Sequence, residues 1–343
     1  MTLDSERQEP GAEGGLFEAA FGVSDAIGAI RYWQRFGYRA GPTGRLDAAE
    51  AKRLYGVDSD LTSVRLHHQD ADHGLVRLMV WDKPTGEGLA MTPFRALGSL
   101  WTGTRTADIY TLGEHAEALR AQGAAIKCVP PFFESYAPPG TAEPFFEALP
   151  GVREMAMVRP LWRQVFIQLV GFDLPLYGHI DPACLFRTSQ FTHCCLVIQD
   201  DSRAQLAFYD QVLGLARQSE VESAFEESTG GRLIFNLEEG ENFHVIDFDD
   251  PRSTNAPEGR RSGRLKIIRF NERSSVADHR DDAGPGRLGL GFYTLRVRAL
   301  EAMRERVLAA KATEVSAVVP DEFGRPACSI RAPDGCSWTL IGA

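Results

Sequence analysis

A chain of 343 residues with 43% hydrophobic and 24% charged residues has the make-up of an ordinary globular protein. Its net charge of −10 weighs against nucleic acid or an anionic membrane surface as the main partner. No apolar run approaches the ~20 residues of a membrane-spanning helix. No secretory leader precedes the first expected element, so a cytoplasmic location with six reduced cysteines is expected.

Residues 1–14, polar and glycine-rich, are expected to be disordered. Residues 17–25 then alternate as a strand. Ala19, Phe21 and Val23 face a following helix at 26–36, and Glu18 lies on the open face. Short strands follow, ending at 76–81 with Arg77. After a loop at 85–100, residues 107–114 read as the next such strand, with Asp108 and Tyr110 on its open side. A helix at 116–122 follows, and residues 165–170, with Gln168, form the closing strand. Pro175, Gly178 and Pro182 mark 172–190 as a connector between domains.

Residues 191–200 carry the clearest signal. Cys194, Leu196 and Ile198 share one face and can pack under a helix at 202–213, which leaves His193, Cys195 and Val197 on the other. The last strand of this stretch is placed at 243–248, with His244 on the open face. A slip of one residue would put Asp247 there instead. Residues 265–270 read as an additional strand. A further strand at 291–298, with Phe292 on its open side, leads into a helix at 300–310, and an Asp334-Gly335 turn sets up the final strand at 337–341.

One pattern therefore recurs four times, at a period of roughly 90 residues, which marks a repeated supersecondary unit. The unit is βαβββ, and the fold class is α+β. The four units, at about 16–84, 100–171, 191–250 and 288–341, are expected to pair in sequence into two cupped mixed sheets with helices outside. The first domain would be 15–171 and the second 191–343.

Four such units in register resemble the vicinal oxygen chelate superfamily, which includes glyoxalase I, extradiol dioxygenases and fosfomycin-resistance proteins. The resemblance covers about 16–341 and rests most on His193 with Phe208 to Gly214, and on the Asp334-Gly335 hairpin. It implies a divalent metal in a cup, held by first-strand and last-strand side chains. His193 matches the first-strand ligand position, and His244 stands where a glutamate is common. Two imidazoles would suit Fe, Mn, Zn, Ni or Cu. Phe292 and Thr339, at the matching places of the fourth unit, are not metal ligands, which departs from glyoxalase I and the extradiol enzymes.

In the first half, Glu18 and Tyr110 are candidates for acid–base work. Asp108, Arg77, Gln168 and Phe292 are candidates for the substrate pocket, and a Glu18–Arg77 salt bridge is an alternative to a bound cation there. The function expected is a metal-dependent enzyme acting on a small oxygenated organic molecule, aromatic ones included, by lyase, isomerase or hydrolase-type chemistry. Alternatives are an extradiol-type ring-cleaving dioxygenase and a metal-free protein that sequesters a small molecule. A homodimer is compatible with this reading, but four units can complete both cups within one chain. Phosphate-loop, serine-elbow and HExxH motifs do not occur.

Overall fold

The structure, a computed structural model, describes residues 9–137, 149–271 and 276–343. A short strand, β1 (Gly11–Ala12), precedes four βαβββ units. Unit one comprises β2 (Glu18–Gly22), α1 (Ala26–Gln34), β3 (Tyr38–Leu46), α2 (Ala48–Tyr55), β4 (Leu61–His68) and β5 (Leu75–Trp81). Unit two comprises β6 (Leu100–Thr106), α3 (Ile109–Ala121), β7 (Lys127–Ser135), β8 (Gly151–Val158) and β9 (Arg163–Val170). Unit three comprises β10 (Thr188–Val197), α4 (Arg203–Ala207), which runs on as a π-helical turn (Phe208–Val212), β11 (Ala216–Ala224), α5 (Thr229–Ile234), β12 (Asn242–Asp249) and β13 (Arg264–Phe270). Unit four comprises β14 (Gly289–Arg298), α6 (Leu300–Ala309), β15 (Val319–Pro320), β16 (Pro326–Arg331) and β17 (Ser337–Gly342).

The units do not pair in sequence. One sheet runs β15-β16-β17-β14-β2-β5-β4-β3 and joins units four and one, with β1 added on β14. The other runs β11-β12-β13-β10-β6-β9-β8-β7 and joins units three and two. In each, the first strands of the two units lie antiparallel at the centre, β14 against β2 and β10 against β6. The crossings between sheets are therefore the segments after β5 and after β13. The expected interdomain connector instead joins two units of one sheet. Repetition along the sequence defines the unit but carries no information on its partner, because each of these connections is long enough to reach either sheet.

Three local expectations also change. Gly11 and Ala12 pair with Arg298 and Val297, and both are buried, so the end of the 1–14 segment is ordered strand; residues 1–8 lie outside the described residues. The first strand of unit two is Leu100–Thr106, and Asp108 caps α3 by accepting the Thr111 N–H at 3.2 Å. The alternation read at 107–114 is the first turn of that helix. Finally, β13 is the closing strand of unit three, so β12 is its third.

Packing sorts the core into three bodies. The largest lies between the backs of the two sheets. Trp33 of α1 meets Phe21, Phe191 and Trp162 there, with ring centroids 5.3 to 5.4 Å apart. Cys194, Leu196 and Ile198 belong to this body, while Cys195 and Val197 face the other way, as their alternation predicts. The Tyr293 hydroxyl ties one sheet to the other, its single proton shared between the carbonyls of Trp101 at 2.9 Å and Cys195 at 2.7 Å. The other two bodies lie on the concave faces of the two cups.

Candidate functional site

The cup formed by units one and four is full. Helix α2 starts at a capping box, Asp47 and Glu50, and ends at Gly56 with a left-handed φ of 73°. It lowers Ala51, Leu54 and Tyr55 onto the concave face beside Phe292 and Trp81. Beneath them Arg77, fully buried, meets Glu18 at 2.6 Å, Glu322 at 3.3 Å and Asp321 at 3.5 Å. Arg65 also pairs with Glu18 and lies 4.1 Å from the centroid of the Phe323 ring. Tyr55 and Ser63 donate to Glu322 at 2.8 and 2.7 Å, and Thr294 donates to Glu18 at 3.0 Å. Burial alone would raise the Glu18 carboxyl, but Arg77 and Arg65 overcome it and hold the group below the usual carboxylate range. A guanidinium thus lies against Glu18 in the cup where the resemblance would place a metal. Glu18 and Arg77 form the salt bridge named above as the alternative to a bound cation, and Phe292, expected in a cup with His193, joins them instead because units four and one share a sheet; the volume they occupy is closed.

The cup of units two and three is open. A cavity of about 270 Å³ lies over its floor, lined by His193, Cys195, Lys266, Glu154, Trp101 and Val165 from the sheet. The long β11–β12 connection roofs it. Helix α5 contributes Gly230, Gly231 and Ile234, and the Gly230 N–H donates to Glu134 on β7 at 2.9 Å. Because β7 and β11 are the two edges of the sheet, this connection spans the cup from rim to rim. Phe235, Phe243 and Tyr136 complete the walls.

His193 is the best-defined polar group here. Its ring rests on the backbone of Gly103 in β6; a Cβ at that position would come within 2.0 Å of the imidazole. Nδ1 lies 3.1 Å from the Thr192 hydroxyl, which itself bonds the Gly103 carbonyl at 3.3 Å. With that hydroxyl donating to the carbonyl, Nδ1 carries the imidazole proton and Nε2 is left as an acceptor; this tautomer is assigned from the network. Nε2 has no hydrogen bond among the described residues. Burial, then the charges of Lys266 and Arg264, push the imidazole down to about 3, so it is neutral in ordinary buffers.

That depression makes stability depend on pH. The unfolded chain titrates this histidine near its ordinary 6.5, so between 6.5 and about 3 unfolding takes up a proton. Stability should therefore fall as pH drops through that window, by up to ~1.4 kcal/mol per pH unit. His193→Gln should flatten this part of the profile. Urea denaturation at intervals between about pH 4 and pH 7 would check it, and equal slopes in the two proteins would refute it.

The other expected residues fall elsewhere. His244 points out of the back of β12, where Nδ1 meets Asp201 at 2.7 Å, and it does not join His193. Phe243 and Val245 do pack inward, but inward is the apolar cup itself, so the next residue faces away and Asp247 takes the cup side. Tyr110 is 57% exposed on α3, and Asp108 caps that helix. Gln168 lies on the back of β9, donating to the Ala107 carbonyl at 2.9 Å. Lys266 and Glu154 were missed. Lys266 was visible as a cation flanked by Leu265 and Ile267 in a largely apolar strand, whereas Glu154 carries no comparable signal.

The donor set does not fit a divalent metal. His193 faces Lys266 and Arg264, and Asp247, the carboxylate that bears on it from β12, is already bound to Arg264 at 2.8 Å. No cluster of three His, Cys, Asp or Glu side chains able to hold a metal occurs among the described residues.

Four βαβββ units paired into two cups define the vicinal oxygen chelate fold, and this chain has it. Among solved structures it is similar to a point mutant of glyoxalase I from Zea mays, with a TM-score of 0.56 at 13% identity over 98% of this chain and 94% of that one. Glyoxalase I from the same plant gives 0.54 at 12% identity over 96% and 92%. At these identities the likeness is one of fold. No family model matches the sequence, and no curated protein matches it. No helix among the described residues is long and apolar enough to cross a membrane.

Proposed function

We propose that the chain binds a small, largely apolar, oxygen-bearing organic molecule in the cup of units two and three, without a resident metal. The observation that carries this reading is the open cavity onto which the partnerless Nε2 of His193 faces, while the equivalent volume in the other cup is filled. Aromatic walls with a few convergent polar groups are the usual make-up of a small-molecule site. The metal-assisted chemistry implied by the resemblance would need further donors beside His193; Lys266 and Arg264 bear their charge on that imidazole, Asp247 is bound to Arg264, and no group of three metal-holding side chains occurs among the described residues.

Turnover is a second reading, favoured by one observation. Burial raises the Glu154 carboxyl above its ordinary value, with Glu134 adding to the shift against Lys266, so a carboxyl of raised proton affinity and a neutral imidazole share one cavity. Groups pushed apart in this way can act as acid and base.

The test uses 4-ethylphenol and isothermal titration. Saturable binding is expected, weakened at least about tenfold, or ~1.4 kcal/mol, by His193→Ala and by Ile234→Trp, which fills the cavity. Chelator treatment should leave it unchanged. Binding that survives both substitutions, or that disappears with stoichiometric metal removed from the protein, would overturn the reading.

A further inference from the structure

The charges and hydrogen-bonding capacity around the open cup restrict what it can hold. Three carboxylates line the cavity, Glu134, Glu154 and Glu227, against the single ammonium of Lys266. Lys266 is countered by Asp247, whose Oδ1 lies 3.8 Å from Nζ. The neighbouring Arg264 is taken up by Asp249, at 2.5 and 3.1 Å, and by the other oxygen of Asp247 at 2.8 Å. Glu134 accepts the Gly230 N–H, and Glu227 the Ala224 N–H at 3.4 Å. Glu154 differs from these two. Its carboxylate has no hydrogen bond and no ion pair within 4 Å among the described residues, although it faces the cavity from the middle of β8. A half-buried carboxylate without a partner favours a ligand that brings it a donor or a positive charge.

His193 makes the same demand. It is 93% buried (7% exposed), and its open ring nitrogen is an acceptor. Two of the polar atoms left open on this cavity are thus acceptors, so a ligand that satisfies them must bring donors. Trp101, Phe235 and Phe243 present ring faces and edges on the same volume, Phe235 standing 5.9 Å from Trp101 and 5.3 Å from Phe243 between centroids. Such walls favour a cation desolvated against them.

We propose that the open cup takes an organic cation: a protonated amine on a small aromatic or apolar body, with its ammonium at Glu154 and a hydroxyl or second N–H at His193. This rests on the reading of the cup as a small-molecule site and names the class of ligand. An anionic molecule would find only Lys266, already countered by Asp247, and would face three carboxylates.

The experiment compares three probes of one shape: tyramine, a cation; 4-ethylphenol, neutral; and 4-hydroxyphenylacetate, an anion. Titration calorimetry of the full chain at neutral pH is expected to rank them in that order, with tyramine at least about tenfold tighter than 4-ethylphenol. Glu154→Gln should bring tyramine down to the level of 4-ethylphenol. Because that substitution removes an unpartnered carboxylate, the variant should melt no lower than the parent; Glu134→Gln, at the rim, should weaken tyramine by a smaller factor. Equal binding of tyramine and 4-ethylphenol, tighter binding of the anion, or a tyramine advantage that survives Glu154→Gln would overturn the cation while leaving the site in place. Failure of all three probes would overturn the site reading together with it.

Discussion

Arg77→Met is expected to be among the most damaging single substitutions in this protein. It would remove the cation that Glu18, Asp321 and Glu322 share and leave three carboxylates in a fully closed volume. Removing one partner of a buried ion pair destabilises by about 3–5 kcal/mol, because an uncompensated charge remains. Here Arg65 still pairs with Glu18, but Asp321 and Glu322 lose the one guanidinium that meets them among the described residues. The effect should relax in acid. The Glu18 carboxyl is held below its ordinary value, so its contribution is present above that value and is lost as pH falls through the folded one. The gap between parent and Arg77→Met should therefore narrow at low pH. Adding Glu322→Gln to the variant should recover part of the loss at neutral pH. Urea denaturation measures all three, and a difference below ~1 kcal/mol between parent and Arg77→Met would show that the network is not what holds the filled cup.

Arg163→Met should be nearly as severe, for a different reason. Arg163 is 1% exposed and pairs with no carboxylate among the described residues. Its guanidinium donates to the carbonyls of Leu100 at 2.8 Å, Thr92 at 2.5 Å and Pro93 at 3.0 Å, and to the Ser99 hydroxyl at 2.7 Å. Burial without a counter-ion lowers it to about 10, which still leaves it charged at neutral pH. The segment between β5 and β6 is wrapped on this one side chain, and its Phe94 packs on Trp101, a wall of the open cup, at 5.1 Å. Each orphaned buried carbonyl costs about 1–3 kcal/mol, less where the segment moves out to water. We expect a loss of about 3–5 kcal/mol, faster amide exchange confined first to 85–100, and weaker binding of 4-ethylphenol. Exchange rates equal to the parent's in that segment would refute this account.

These two arginines show where sequence reasoning ran out. Arg77 sits in an apolar strand, and its pairing with Glu18 could be anticipated because both belong to one unit. Asp321 and Glu322 come from unit four, and nothing in unit one announces them. Arg163 opens a strand like many exposed arginines, and its acceptors are backbone carbonyls, which every sequence offers.

For the repeats, local sequence was sufficient. A strand buried on both faces but packed under a helix on one side writes its alternation directly, so His193 could be assigned to the cup and Cys194 to the helix side. The Thr-rich strand 100–106 lacks that contrast, and the helix start behind it looked more like a strand than it did. His244 was misplaced by one residue because an apolar cup and an apolar helix face both count as inside.

Four βαβββ units, their glycine turns and the face that carries His193 follow from periodicity, since side-chain direction in a strand depends only on neighbours along the chain. Which units share a sheet, which cup is plugged by α2 and which is roofed by α5, and how Lys266 and Glu154 meet His193 follow from packing between distant segments. Those outcomes depend on volume and on charges brought together only in the folded molecule. His193 joins the two: local alternation assigned its face, and packing then supplied its surroundings, with its ring on Gly103 and its open nitrogen on the cavity.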